Sequence, residues 1–286
     1  MKKEMKIVFE GQNSQIDANT LINVLIHYQT VVAEANKELG GGTKDIELKV
    51  NAIEKGSFIV DVSVVESVVR QIFSGGTLEY LASLCTVVGG VFGAYKVLKG
   101  KPAKSEEAKT SITIKGRGNS MEVNQTIVKV YNNRVVREAV SKAIETADAD
   151  ASVEGLKVDS GKGDAVEFGK TDFKEYIYTG FDDEETLPEE MVETVDAVLT
   201  IIALNFEPGS RWQFMYNGFK IQMTVKDDAL MKEIDEGARF GKGDAIKVKM
   251  RILKRYNLTY KAYENKSYKI VEFYEHIEAP RQAEIF

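Results

Sequence analysis

The feature that most constrains this chain is a run of sixteen residues without a charge, YLASLCTVVGGVFGAY at 80–95, set between Glu79 and Lys96. A chain that stays in water has to bury such a run. As a helix it spans about 24 Å, short of the roughly 30 Å hydrocarbon core of a bilayer. The sequence therefore predicts a central apolar helix over 77–98, enclosed on all sides by the N-terminal part of the protein. Glycine costs about 1 kcal/mol relative to alanine inside a helix. Gly89, Gly90 and Gly93 then mark a face that something approaches closely, and the small-xxx-small spacing of Gly89 and Gly93 would let another backbone come near. The approach could come from the same chain, from a second copy or from lipid.

The flanking sequence is that of an α+β protein. A strand is expected near residues 6–10, followed by an amphipathic helix. Asp17 or Asn19 can cap that helix, Leu21, Val24, Leu25, Tyr28, Val32 and Ala35 give its apolar stripe, and Gly40–Gly42 end it. His27 falls with Asn23, Thr30 and Glu34 on the opposite face, which predicts a solvated histidine. Alternation at Ile46, Leu48, Val50 and Ala52, and again at Phe58, Val60, Val62 and Val64, predicts a hairpin across Glu54-Lys55-Gly56. A short amphipathic piece at 67–73 comes next. Beyond the central segment, strands are expected at 111–114 and 125–131, then a second amphipathic helix through Val136, Ala139, Val140 and Ala143. Short strands and turns fill 152–178.

Six of the ten residues at 181–190 are acidic. A run of like charge reads as a solvated linker, so the expected domains are an α+β unit at 1–180 and a β-rich unit at 191–286. In the second unit, Trp212, Phe214 and Tyr216 face Phe219, Ile221 and Met223 across Asn217-Gly218, a strong two-residue hairpin signal. Asp227 can cap a short helix through Leu230 and Ile234. Two long strands follow, giving a small antiparallel sheet or a partly open barrel.

Familiar chemistry is hard to find in these residues. Two histidines and one cysteine, Cys85, leave little for a zinc site or an internal disulfide. The stretch from Gly163 to Gly169-Lys170-Thr171 has five residues between its glycines where a phosphate loop needs four. The acidic pairs sit in polar runs where nothing would raise a pKa. Neither a catalytic residue nor a cofactor site is expected, though an enzyme with an unfamiliar site stays open. Lys247, Lys249 and Arg251 alternate along one strand and could touch a polyanion, but a net charge of −6 makes a nucleic-acid partner an unfavoured expectation. A charged outer sheet face that blocks edge pairing is the favoured reading of them.

AIEKGSFIVDV at 52–62, the glycine-bearing segment through Lys101, YNNRVVREA at 131–139 and EHIEAP at 275–280 together resemble a widespread bacterial family of about this length. The resemblance implies a bacterial or prophage origin and brings no activity or site residue with it. The expected function is a non-enzymatic interaction or assembly protein, cytoplasmic and homo-oligomeric. The alternative is a membrane-directed effector, for instance in bacterial defence, that exposes 77–98 when triggered. Gly89, Gly90 and Gly93 are the interaction residues in either case. No small-molecule ligand can be named from the sequence.

Overall fold

A computed structural model describes residues 2–11, 16–40, 46–54, 58–66, 77–103, 112–116, 119–161, 165–183, 188–205, 210–225, 227–257 and 262–279. The expected turn at 55–57, the amphipathic stretch at 67–73 and the centre of the acidic run at 184–187 lie outside the described residues.

The protein is α+β, with open antiparallel sheets. The first sheet has five strands in the order β2-β3-β1-β6-β7: β1 (Lys2–Glu10), β2 (Ile46–Glu54), β3 (Phe58–Glu66), β6 (Gly155–Asp159) and β7 (Val166–Gly169). The central helix α2 (Thr77–Leu98) lies across it, touching β1, β3, β6 and β7. Over it pack α1 (Ala18–Gly40), α3 (Gln125–Asn132) and α4 (Arg134–Ala149), with a small hairpin of β4 (Ile112–Lys115) and β5 (Ser120–Val123) at one side. Leu81, Leu84, Val88, Val91 and Tyr95 are wholly buried. The apolar run thus lies at the centre of the first core, but it is not enclosed on all sides as expected, since Ser83 and Thr86 are exposed. The helix has 22 residues, about 33 Å of rise, so its length no longer argues against a bilayer span. What holds it in the protein is the core packed round it.

α1 starts where expected: Asp17 accepts from the Asn19 N–H at 2.8 Å through its carboxylate and from Leu21 N–H at 3.0 Å through its carbonyl. Its buried residues Val24, Tyr28, Val31, Val32 and Ala35 follow a helical stripe. His27 corrects an expectation. It is 3% exposed rather than solvated, because α4 packs along the polar side of α1 and turns that side into a second interface.

A second correction concerns residues 125–131, which form α3 rather than a strand. The β-branched run suggested alternation, yet Ile127, Val128, Val130 and Tyr131 are buried at helical spacing. Asparagine decides the local structure. Asn124 accepts from Ile127 N–H at 2.9 Å and starts α3. Asn133 stops α3 through Val130 and opens α4 by accepting from Val135 N–H. Asn132 ties the junction down by donating to the Ala103 carbonyl and accepting from its N–H.

The second sheet runs β10-β9-β8-β11-β12, all antiparallel, from β8 (Glu190–Ala203), β9 (Arg211–Tyr216), β10 (Phe219–Thr224), β11 (Ala245–Asn257) and β12 (Ala262–Ile277). Its edge strands β10 and β12 approach each other without a ladder between them, which leaves the sheet strongly curled and still open. Trp212, Phe214 and Tyr216 are buried together, and Asn217 and Gly218 turn the chain at φ +47° and +76°. This is the primed turn that the twist of a hairpin favours. Helix α5 (Asp228–Asp235) starts on Asp227, which accepts from Leu230 N–H at 2.9 Å, and Leu230 plugs the second core.

Candidate functional site

The glycines of α2 are tightly packed by the chain itself. A Cβ added at Gly89 would lie 2.5 Å from Ser160 Oγ, and one at Gly93 would lie 2.8 Å from Met121 Cε. One at Gly90 would overlap the side chain of Ile127. The close neighbours are side chains from β5, α3 and the turn after β6, where small-xxx-small spacing led us to expect a backbone. Cys85, on the same helix, is buried.

Lys247, Lys249 and Arg251 lie together on the outer face of β11. Carboxylates of β12 answer two of them: Glu275 stands 3.6 Å from Lys247, and Glu272 stands 2.7 Å from Lys249. Hydrogen bonding to Glu272 pushes the Lys249 ammonium up to about 12. Tyr274 reaches across to Asp196 on β8 at 2.9 Å, with the Lys249 ammonium over its ring. The face is a charge-paired lattice, as a solvated outer sheet surface would be.

A concave surface lies elsewhere, between the two cores. One wall is the side of α1 carrying Ile22, Ile26, Gln29 and Ala33, and the other is the turn at Asn217, Gly218 and Phe219. Two adjoining hollows share all of these residues but Gly218. One, of about 630 Å³, runs toward Tyr216, Tyr268, Tyr263 and Lys254, and the other, of about 520 Å³, runs toward Leu48 and Val50 of edge strand β2. Three large apolar side chains stand exposed around this groove: Ile22 at 48%, Val50 at 52% and Phe219 at 61%. Glu34, Glu264, Lys37 and Lys49 line its margins.

Charge closes one end. Glu193 of β8, 8% exposed, meets Lys254 Nζ of β11 at 2.6 Å and also pairs with Lys37 from the last turn of α1. Burial alone would raise the Glu193 carboxyl, but the two lysines outweigh it and hold it below its usual range. A second tie between the cores is the Tyr256 hydroxyl, which donates to Glu138 Oε1 of α4 at 3.1 Å.

None of the groove residues was singled out as a site from sequence. The signal was present in α1, where Ile22 and Ile26 fall one turn apart outside the stripe that faces the core. Glu193 likewise interrupts the inward row of Val195, Ala197, Leu199 and Ile201. The Gly169-Lys170-Thr171 stretch has a structural use instead: Lys170 Nζ donates to the carbonyls of Ala147, Asp148 and Asp150 and caps the end of α4. Among the described residues no group of three or more His, Cys, Asp or Glu is placed to hold a metal ion. Comparison of the chain with protein-family models, curated proteins and solved structures finds no match.

Proposed function

We propose that this protein works by association rather than catalysis, and that its partner is a second copy of the chain seated on the groove between α1 and the β9–β10 turn. The observation that carries the reading is the clustering of Ile22, Val50 and Phe219, all about half exposed or more, round one concave surface. Contiguous apolar surface rimmed by polar groups is a mark of interaction sites. A twofold contact must be self-complementary, and a rim with Glu34 and Glu264 beside Lys37 and Lys49 carries both signs within one patch. The expected setting is the cytoplasm.

The test is native mass by light scattering over a range of concentrations, for the wild type and for Phe219→Asp. The wild type is expected to exceed the mass of one chain, and Phe219→Asp to weaken association on the order of thirtyfold, as for loss of a roughly 2 kcal/mol aromatic anchor. A wild type that stays monomeric throughout would contradict the proposal.

The second reading, a membrane-directed effector, is favoured by one observation: Leu78–Leu98 is long and apolar enough to cross a bilayer. Against it, 61% of the most apolar eighteen residues of that stretch is buried, so insertion would leave the first core without its centre. Dye release from anionic vesicles by the untriggered protein would favour this reading over the first.

A further inference from the structure

The charged end of the groove is an exception within β8. Residues 193, 195, 197, 199 and 201 all point inward, and four of the five are apolar. A carboxylate in such a row is costly unless its charge is matched. Here it is matched twice, by Lys254 on the neighbouring strand and by Lys37 on a helix of the other core. Lys254 alone could neutralise Glu193 within the sheet. Lys37 adds an ion pair from α1 to the second sheet.

That bond has a geometric consequence. α1 carries Ile22 and Ile26, one wall of the groove, about three to four turns from Lys37. The sheet that carries Glu193 also carries Phe219, through the ladder from β8 to β9 and the turn into β10. We infer that the Lys37–Glu193–Lys254 cluster is a positioning device that sets the distance between the two walls of the groove, and that self-association depends on it. The inference rests on the self-association reading above. Lys37 also feels Glu34 and Glu38 of its own helix. Those carboxylates help keep it charged but cannot hold the helix to the sheet.

The experiment compares the full-length wild type with Lys37→Met, Lys37→Arg, Glu193→Gln and the Lys37→Met/Glu193→Gln double variant. The readout is the dissociation constant of the assembled protein by sedimentation equilibrium, with thermal melting alongside. Lys37 is 45% exposed, so Lys37→Met is expected to keep the fold and weaken association about tenfold. Lys37→Arg keeps the charge and is expected to restore it. Glu193→Gln breaks both bridges and Lys37→Met only the one to α1, so the double variant should be no weaker than Glu193→Gln alone. If Glu193→Gln does not fold, the two Lys37 variants decide alone. An associating wild type with unmoved Lys37→Met, a failed rescue by Lys37→Arg, or effects that multiply in the double variant would overturn the positioning role. A monomeric wild type would overturn the self-association reading itself.

Discussion

Single residues do structural work that their sequence context disguised. Lys170 follows a glycine and precedes a threonine, as a phosphate-loop lysine would, but it binds three carbonyls at the end of α4, at 3.2, 2.7 and 2.8 Å. Hydrogen bonds to a charged group contribute roughly 1.5–3 kcal/mol. Lys170→Met is therefore expected to lower stability by about 2 kcal/mol in urea unfolding while leaving native mass unchanged; an unshifted midpoint would refute the cap. Asp244 shows a similar economy in a turn, accepting from the backbone of Gly241 at 2.7 Å and Ala279 at 2.9 Å and pairing with His276 at 2.9 Å. Burial would raise its carboxyl, but the two N–H groups and His276 lower it. Asp150 and Glu193 are lowered too. A carboxylate whose folded pKa is depressed stabilises the fold above its unfolded value and loses that contribution as pH falls through the folded one. Stability should thus hold from neutral pH to about 5 and fall below about 4, with Asp244→Asn removing part of the slope. Stability that rises on acidification would contradict this.

At the scale of elements, what is periodic and local was legible. The length of α2, the primed hairpin at Asn217-Gly218 and the Asp227 cap could all be read from residue order. The nature of the α2 contacts could not, because glycine spacing records that something comes close without recording what. The structure separates the three positions. At Gly90 the obstacle is the branched side chain of buried Ile127, whereas at Gly93 it is the flexible end of Met121. Gly90→Ala should cost about 1–3 kcal/mol by overpacking. Gly93→Ala should be neutral or stabilising by up to about 1 kcal/mol, through better helix propensity. Thermal melting that shows the reverse order would refute this packing. α3 was misread for a related reason: its β-branched residues favour a strand locally, and the asparagines at 124 and 133 override them by capping.

At the scale of the whole molecule, the described residues form two separate hydrophobic cores, one built on α2 and the first sheet and the other inside the curled second sheet. The groove between them was not legible in sequence, because its walls come from residues nearly two hundred positions apart and no local period connects them. Ile22, Val50 and Phe219 each look like ordinary surface exceptions until the fold gathers them. The same gathering gives Glu193 its partner on α1. Self-association through this groove is most directly tested by amide hydrogen exchange at low and high protein concentration. Raising the concentration is expected to slow exchange in residues 18–33 and 216–222 while leaving the buried α2 segment at 80–95 unchanged. Exchange in the groove segments that does not depend on concentration, or protection that grows elsewhere instead, would contradict it.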